Sequence, residues 1–359
     1  MAWSVEEFSE KLAKIRHLMQ QQNVDGVLVG QQVNLFWLTG ARPYVNMFGD
    51  KGCFDILVTH ENAYLVSNNI ELARLQQEEL QQLNLESLQY NWWDGDISRL
   101  VEQVKPAAVI VTEAGLAGFS SLRYTLCTPE VERYRDTSLS VAKAVEQAAL
   151  QIEIGQSEQE IANLIRQNCN RYGVSAFVTL VGTDERIFKY RHPLPTEKKL
   201  ERYALLAVSG RKHGLYASIT RMVHFGQPSL EIIQKHQAVQ AVDAAFILST
   251  QVGASVAQAF QAGITAYAAN GYAEQWQYHH QGGLAGYQSR EFRGTANCPE
   301  IIQAQQVFAW NPTIAGAKSE DTILITEQGP EILTKSSFYP SRIVEFGDKS
   351  IARADILIR

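Results

Sequence analysis

The residues best suited to acid–base chemistry are a few histidines and carboxylates in the second half of the chain. His192 lies in the segment Tyr-Arg-His-Pro, and because an imidazole titrates near neutral pH it can accept and return a proton. Glu320, in Ser-Glu-Asp-Thr, can act as a base or bind a cationic nitrogen. His279 and His280 add two imidazoles that point in different directions, since adjacent side chains diverge. The plainer alternatives are a histidine held in a turn for packing and an edge-strand glutamate facing water.

Arginines near these residues can bind a negatively charged group. Arg290 and Arg293 flank Glu291 in Ser-Arg-Glu-Phe-Arg, and a guanidinium can hold a carboxylate through two parallel hydrogen bonds. Arg191, next to the first histidine, can serve the same purpose. Alternatively, Arg290 and Arg293 pair with Glu291 and neighbouring acids, and Arg191 is a solvated surface residue.

A β-hairpin is the element that must position much of this chemistry. Two runs of strand composition, Tyr203–Ser209 and Leu215–Val223, are joined by Gly210–Gly214, which is typical of a hairpin turn. A further strand is predicted at Phe177–Gly182. A capping box, Ser157–Glu160, marks the start of one helix. Other helices are predicted over residues 138–152, 229–251 and 255–273.

The first third of the chain alternates predicted strands with helices. An apolar stripe along residues 5–22 has helical spacing. Strands are predicted at 25–30, 54–60, 63–66, 85–89 and 107–112, with helical segments at 34–38, 70–82 and 96–104. This alternation predicts an α/β domain. The polar segment Cys127–Thr137 contains a proline and is assigned to the junction, so we expect domains over residues 1–132 and 133–359.

Bulk properties narrow the functional classes. The chain has 359 residues, which suggests two domains, with 45% hydrophobic and 19% charged residues and a net charge of −6. A negative net charge does not favour binding to nucleic acid or to acidic membranes. No apolar run is long enough to span a bilayer. The N-terminus lacks the layout of a signal peptide. The four cysteines are far apart in the sequence and none has the Cys-x-x-Cys spacing of metal or redox sites. They are typical of free thiols in a reducing compartment, so we expect a cytoplasmic protein.

The hairpin also carries a family resemblance. Its segment Gly214-Leu-Tyr-Ala-Ser-Ile-Thr-Arg221 resembles the central hairpin of the pita-bread fold, shared by methionine aminopeptidases, prolidases, aminopeptidase P and creatinase. Leu-Phe-Trp-Leu-Thr-Gly-Ala-Arg-Pro, ending at Pro43, is similar to a landmark of the N-terminal domain of creatinase and the prolidases. The resemblance covers about residues 5–335. It implies an α/β creatinase-like N-terminal domain followed by an α+β pita-bread domain.

The same resemblance marks where metal ligands would be. Peptidases of this family bind metal through two aspartates on the hairpin, one histidine in a Gly-His turn and two glutamates nearer the C-terminus. The matching positions here are Ala207, Ser218, Gly283, Asn311 and Glu320. A two-residue shift would replace the first by Ser209, which is also not a carboxylate. Because a divalent cation needs three or more protein ligands, the resemblance predicts no metal and no other cofactor.

Roles for the remaining residues follow from the resemblance. His192 matches the histidine that passes protons, and in creatinase, the metal-free enzyme of the family, it is the central catalytic residue. Glu320 matches a glutamate that creatinase retains, and Glu291 matches the glutamate of a His-Glu pair whose histidine is here an arginine. These three are the predicted catalytic residues. The predicted substrate-binding residues are Arg191, His280, Arg290, Tyr216, Ser218 and Asn311.

Three functions remain open. The first is a metal-independent, creatinase-like enzyme that cleaves a C–N or related bond in a small nitrogenous or amino-acid-like substrate. The second is a non-catalytic pseudo-peptidase that binds a peptide or small ligand. The third is an Xaa-Pro-type metallopeptidase with rearranged ligands from His279, His280, Glu291 and Glu320. The expected partner is a small molecule or short peptide, with neither nucleic acid nor membrane. By resemblance the chain forms a homodimer in which Trp37–Tyr44 faces the partner's pocket.

Overall fold

The chain divides into two compact units. A computed structural model describes residues 3–95 and 97–359, and the division falls between Met1–Tyr124 and Thr125–Arg359. The first unit is the predicted α/β domain and the second is an α+β domain. Both fold classes agree with the prediction from the sequence.

The first unit is built around one mixed sheet with the strand order β4-β3-β2-β1-β5. Strand β1 runs parallel to β5, and β3 runs parallel to β4, while the β1–β2 and β2–β3 pairs are antiparallel. The elements are α1 (Val5–Gln21), β1 (Gly26–Gln31), α2 (Gln32–Thr39), β2 (Lys51–Thr59), β3 (Ala63–Asn68), α3 (Leu72–Arg74), β4 (Glu86–Tyr90), α4 (Ile97–Val104) and β5 (Ile110–Thr112).

The helix predicted over residues 70–82 is less regular than its composition suggested. It consists of the short α3, a π-helical turn at Leu75–Glu79 and a 3₁₀ turn at Gln81–Leu83. The apolar side chains explain this, because Leu75 and Leu80 are both buried and lie five residues apart. That interval matches the i to i+5 hydrogen bond from Leu80 N to Leu75 O, of 2.8 Å.

The second unit contains two larger sheets with helices against them. One sheet has the order β18-β8-β7-β6 and the other β10-β9-β11-β14-β15. The helices are α5 (Thr128–Gln151), α6 (Glu158–Arg171), α7 (Glu185–Lys189), α8 (Leu230–Ser249) and α9 (Val256–Ala269). The strands are β6 (Ser175–Thr183), β7 (Tyr203–Lys212), β8 (Leu215–His224), β9 (Gly282–Ala285), β10 (Phe292–Arg293), β11 (Val307–Trp310), β12 (Thr313–Ile314), β13 (Ala317–Lys318), β14 (Asp321–Thr326), β15 (Gly329–Ile332), β16 (Ser341–Phe346), β17 (Lys349–Ala354) and β18 (Leu357–Ile358). Helices α5 and α6 pack on the first sheet, and α8 packs mainly against α9, β13 and the β16–β17 hairpin.

The segment assigned to the junction, Cys127–Thr137, is helical from Thr128 onwards and forms the N-terminal part of helix α5. A proline is tolerated in the first turn of a helix, where its missing N–H would have no partner. The Glu130 side chain accepts a hydrogen bond from Cys127 N at 2.8 Å and so caps the helix. Polar residues of the next two turns, Arg133 and Thr137, are buried. The polarity of the segment therefore marks a buried polar helix face rather than a linker.

The C-terminal tail, for which the sequence predicted no defined form, is a β-hairpin followed by a short strand. Strands β16 and β17 pair in antiparallel fashion. Strand β18 then adds to the edge of the central hairpin sheet, with Leu357 opposite Val223 in a parallel ladder. Among the residues described, no helix has the length and apolar character needed to cross a membrane.

Candidate active site

The central hairpin forms one wall of the site. Its turn is tighter than predicted, since β7 and β8 are joined only by His213 and Gly214, with φ of +55° and +79°. Positive φ at both central residues matches the right-handed strand twist and fixes the register. Ser209 therefore lies opposite Ser218, and the Ser218 hydroxyl donates to the Ser209 hydroxyl at 3.1 Å.

A cavity of about 330 Å³ opens beside this hairpin. The predicted site residues that line it are His192, Ser218, His280, Arg290, Asn311 and Glu320. The other lining residues are Val178, Leu180, Ala207, Val208, Ser209, Ser289, Phe292, Arg293 and Lys318. Side chains from both larger sheets and from the loops before β7 and β9 thus meet in one small volume.

Glu320 is buried in the cavity wall and fully engaged by hydrogen-bond donors. Its Oε2 accepts from Lys318 Nζ and from Thr220 Oγ1, each at 2.7 Å, and its Oε1 accepts from Arg290 Nη2 at 3.3 Å. Burial alone raises the pKa of the Glu320 carboxyl, but the charges of Lys318 and Arg290 outweigh burial and lower it. Glu320 is therefore ionised and paired.

The imidazoles form a second group at the cavity. The Nε2 atoms of His192 and His279 lie 2.9 Å apart, so one ring donates to the other. The rings of His279 and His280 stack with centroids 4.6 Å apart. Desolvation, followed by the charge of Lys318, lowers the pKa of His192. Desolvation likewise lowers the pKa of His279 to about 2 and that of His280 to about 4. The rings are neutral at pH 7.

Proline packing holds His192 at this position. The following residue, Pro193, lies against Gly182 of β6 so closely that a Cβ added at Gly182 would meet the proline ring at 2.8 Å. Val181 N also donates to Pro193 O at 3.2 Å. The segment is thereby fixed on the hairpin sheet while His192 itself stays exposed. An exposed imidazole next to a cavity is accessible to a ligand.

Three predicted site residues are not among those that line the cavity. The Glu291 carboxylate accepts from the backbone N–H groups of Tyr287 and Gln288, at 3.0 and 3.2 Å, and so closes a turn. Arg191 donates to the Gln275 side chain at 2.5 Å. Tyr216 packs its ring against Phe177 with centroids 5.6 Å apart. Their predicted roles stay predictions, and the structure gives each of them a structural partner.

The family resemblance marks five positions for the ligands of a dinuclear metal centre, and the residues at these positions are poor metal donors. Ala207, Ser218 and Asn311 line the cavity with a methyl group, a hydroxyl and an amide. At Gly283, φ is +150° and an added Cβ would lie 2.2 Å from Phe292 O, so this backbone has no room for a side chain. The remaining ligand, Glu320, is already paired with an ammonium group. These residues do not fit a dinuclear centre.

A different set of donors lies close together. One ring nitrogen from each of His192, His279 and His280 falls within 4.8 Å of the others. Three imidazoles are a ligand set known from mononuclear zinc sites. The charges of Lys318 and Arg290, which act on these same rings, oppose a cation there.

Sequence reasoning missed Lys318 and Thr220, the two closest partners of Glu320. Lys318 stands in Gly-Ala-Lys-Ser-Glu, which has the composition of a solvated turn. The available signal was its spacing, because residues two apart in an extended segment point to the same side. The same spacing relates Ser218 to Thr220 on β8.

Comparisons with known proteins agree with this architecture. The model of metallopeptidase family M24 matches residues 132–327, and that of the creatinase/prolidase N-terminal domain matches residues 11–133. An Xaa-Pro dipeptidase of Pyrococcus horikoshii is 24% identical over 351 residues, covering 91% of this chain and 97% of that protein. A crystal structure of the prolidase from that organism has a TM-score of 0.77 at 22% identity, covering 91% and 99% of the two chains. The Xaa-Pro dipeptidase from Bacillus anthracis has a TM-score of 0.79 at 17% identity, covering 98% and 100%. At these identities, the similarity to solved structures shows the fold.

Proposed function

The chain belongs to metallopeptidase family M24, and within that family we propose that it is a metal-independent enzyme hydrolysing a C–N or related bond in a small amino-acid-like substrate. The observation that carries the proposal is the Lys318–Glu320 ion pair of 2.7 Å, which lies in the cavity where the family resemblance places metal. His192 lines the same cavity and supplies the acid–base group.

The ion pair supports metal independence through its charge and its burial. Lys318 and Glu320 are only 4% and 5% exposed, so separating them would leave a buried ammonium group without its partner and Glu320 with Arg290 as its remaining charged partner, at a cost of several kcal/mol. A metal ion at the positions of the dinuclear centre would have to displace the ammonium group, and the other polar side chains at those positions, Ser218 and Asn311, offer only a hydroxyl and an amide. Neither group replaces a carboxylate or imidazole ligand.

His192 is suited to move a proton during hydrolysis. As a neutral imidazole it can take a proton from a water molecule while the water oxygen attacks the substrate carbon. It can then return that proton to the leaving nitrogen as the C–N bond breaks, so that the two steps balance. His279, whose ring is hydrogen-bonded to His192, would act as a positioning residue that fixes the tautomer. Positive charge in the cavity would stabilise negative charge that develops on oxygen.

The test combines elemental analysis with turnover. We expect protein purified without chelators or a histidine tag to hold less than about 0.1 equivalent of Mn, Fe, Co or Zn. A screen of small amines, amidines and N-substituted amino acids should yield a substrate whose turnover is insensitive to EDTA. His192→Ala should lower kcat about 100-fold or more, while His17→Ala, at an exposed position on α1, should leave it unchanged. Unchanged turnover in His192→Ala would refute the assigned role.

A second candidate function is favoured by the three clustered imidazoles. In that case the protein would be a metallopeptidase with rearranged ligands, and His192, His279 and His280 would bind the metal. The predicted ligand Glu291 closes a turn instead. Stoichiometric metal, its loss in His279→Asn and hydrolysis of Xaa-Pro dipeptides would establish this candidate. Ligand-induced stabilisation without any product would instead indicate a non-catalytic binding protein.

The partner, location and assembly of the chain stay predictions from its sequence: a small molecule or short peptide, the cytoplasm and a homodimer. Light scattering during size-exclusion chromatography tests the last of these directly.

A further inference from the structure

We infer that a groove beside strand β16 binds an extended peptide segment of a partner protein, which pairs with the open edge of that strand. The groove lies in the second unit and shares no lining residue with the cavity beside the central hairpin. Strand β16 (Ser341–Phe346) also lies beyond residues 132–327, the segment that the M24 model matches. The inference is therefore independent of the proposed function.

The first observation is that one edge of β16 is open. Among the described residues, β16 pairs only with β17, in a two-stranded sheet. The turn of two residues that joins these strands closes on the pair Phe346 and Lys349, which is therefore hydrogen-bonded. In an antiparallel ladder, such pairs alternate with pairs that have no hydrogen bond. Every second residue of β16 thus directs its backbone groups away from β17.

The residues that present their backbone groups at the open edge are Ser341, Ile343 and Glu345. Within residues 3–95 and 97–359, no other group forms a hydrogen bond with the backbone N–H or C=O of these three. The Ile343 side chain is 63% exposed, so this part of the strand is accessible. An accessible edge with such groups is a template for pairing with another extended segment.

The second observation is the groove at this edge. Its volume is about 740 Å³, and four consecutive residues of β16, Arg342–Glu345, line it. Consecutive side chains of a strand point to opposite faces, so a groove lined by all four follows the edge of the strand. The other lining residues belong to α8 and to the end of α9: Gln234, Gln237, Ala238, Ala241, Asn270 and Tyr272.

The side chains across the groove suit a peptide backbone. Gln234 and Gln237 are exposed, and neither side chain forms a hydrogen bond in the part of the chain that the structure describes. A side-chain amide has both donors and an acceptor, which match the groups that a bound segment presents on the edge turned away from β16. Ala238 and Ala241 are small and leave room for that segment.

Two charged residues indicate the composition of the peptide. Arg342 and Glu345 line the groove, and neither forms an ion pair within the described ranges. Residues directly opposite each other on paired strands share a face, and opposite charges there stabilise the pairing. A segment antiparallel to β16 should therefore carry a basic residue opposite Glu345 and, three positions later, an acidic residue opposite Arg342.

A second copy of the chain fits this edge less well. A two-fold axis would set β16 antiparallel to itself, and only residues an even number of positions apart could then lie opposite each other on one face. Arg342 and Glu345 are three positions apart, so their charges would not pair. The charge pattern therefore favours a different chain.

The experiment titrates a fluorescein-labelled peptide, Gly-Gly-Thr-Lys-Val-Thr-Glu-Thr-amide, with the full chain and follows fluorescence anisotropy. The lysine and the glutamate are placed to lie opposite Glu345 and Arg342. We expect binding with a Kd below about 1 mM. A peptide in which the lysine and the glutamate are exchanged should bind about fivefold more weakly or worse, because each charge would then face a like charge.

Ile343→Pro tests the backbone groups of the open edge. It removes the N–H that Ile343 donates to the peptide but none of the hydrogen bonds to β17, so the Kd should rise about tenfold or more. The matched control is Ser350→Pro, which should leave the Kd unchanged. Ser350 lies opposite Glu345 on β17, and its N–H points away from β16. If Ile343→Pro fails to fold, a peptide N-methylated at the threonine opposite Ile343 gives the same test on the wild-type protein.

Two results would overturn the peptide site. One is a wild-type protein that does not bind the peptide, or that binds it equally well after exchange of the charges and after N-methylation. The other is an oligomer, measured by light scattering, that Ile343→Pro dissociates and Ser350→Pro does not, because the edge would then belong to a second copy. None of these readouts involves turnover, so they test the groove whether or not the chain is an enzyme.

Discussion

Two neighbouring carboxylates, Glu320 and Asp321, belong to two different charged clusters. Because side chains alternate along an extended segment, Lys318 and Glu320 face the cavity while Ser319 and Asp321 face the opposite side. The Ser319 hydroxyl donates to Asp243 Oδ2 at 2.5 Å. Asp321 forms two ion pairs. Its Oδ1 lies 3.0 Å from Arg221 Nη1, and its Oδ2 lies 2.9 Å from Arg353 Nη2. We call the two groups the cavity cluster and the core cluster.

The core cluster is buried and nearly balanced in charge. Its members are Glu146, Arg221, Asp243, Asp321 and Arg353, and each is buried. Arg221 pairs with Glu146 at 2.7 Å and donates to Thr334 O at the same distance. Arg353 pairs with both Asp243 and Asp321. Three acids face two cations, and every charged member has an oppositely charged partner inside the cluster.

The difference between the clusters shows what each can do. The cavity cluster, defined by Lys318, Glu320, Arg290 and Arg293, has excess positive charge and borders a cavity. The core cluster pairs each of its charges with an opposite charge inside the protein, so it can orient α5, α8 and the C-terminal hairpin. Substitutions in the core cluster should therefore affect stability first, and those in the cavity cluster should affect binding first.

The largest effect is expected from Arg353→Met in the core cluster. This change leaves Asp243 without its arginine and Asp321 with only Arg221, and removing one partner of a buried ion pair costs about 3–5 kcal/mol. Urea unfolding would measure the loss, with the exposed Arg202→Met as the control. Asp243→Asn in the Arg353→Met background should recover part of the stability, because it removes the unpaired charge. A loss below about 1 kcal/mol would show that the core cluster is not a stabilising network.

A smaller effect is expected from Lys318→Met in the cavity cluster. Glu320 keeps its hydrogen bonds from Thr220 and Arg290, so we expect a loss of about 1–2 kcal/mol by the same unfolding measurement. A loss as large as that of Arg353→Met would contradict the comparison and make Lys318 a structural residue.

The last two predictions concern pH, and a histidine beside the cavity cluster and an acid in the core cluster should respond in opposite directions. The pKa of His280 is lowered to about 4, through burial and then the charges of Arg290 and Arg293, with Glu320 opposing. Between pH 6.5 and pH 4 the unfolded chain protonates this histidine while the folded protein does not. The stability that is present above pH 6.5 is therefore lost as the pH falls towards 4. Urea unfolding at pH 7.0 and 4.5 should therefore show a smaller loss for His280→Asn than for the wild type.

Asp243 in the core cluster provides the counterpart. Burial raises its pKa to about 6, although Arg353 and Ser319 oppose the rise. A raised carboxyl pKa means that the folded state takes up a proton first, so this group favours folding as the pH falls from above 6 towards 4. Asp243→Asn should remove that gain. Equal pH slopes in the wild type and both variants would refute the contrast.

Much of the fold followed from local sequence patterns. The central hairpin and the helix that begins at Ser157 were predicted, because turn residues and a capping box are signals within a few positions. The first half of α5 was not, because its buried polar residues have the composition of a loop. Strand β18 was not predicted either, since its pairing with β8 joins residues far apart in sequence.

The site divides in the same way. His192, Ser218, His280, Arg290, Asn311 and Glu320 were predicted from motifs and do line one cavity. Lys318 escaped notice because nothing near it in sequence shows that it is buried. Glu291 was singled out by a motif, whereas its carboxylate accepts hydrogen bonds from two backbone N–H groups of its own turn. Motifs indicate which residues are near a site, but partners across strands decide which of them face it.

Side chains alternate along the segment from Lys318 to Asp321, and this alternation restricts the number of residues in the turn before it more strictly than their types. Deleting one residue in the preceding turn, at Ala315 or Gly316, would rotate the segment by one position. Lys318 and Glu320 would then face the core cluster, while the intervening residues would face the cavity. Insertions or deletions of two residues in this turn should therefore be tolerated better than those of one residue, because only the former keep Lys318 and Glu320 on the cavity side.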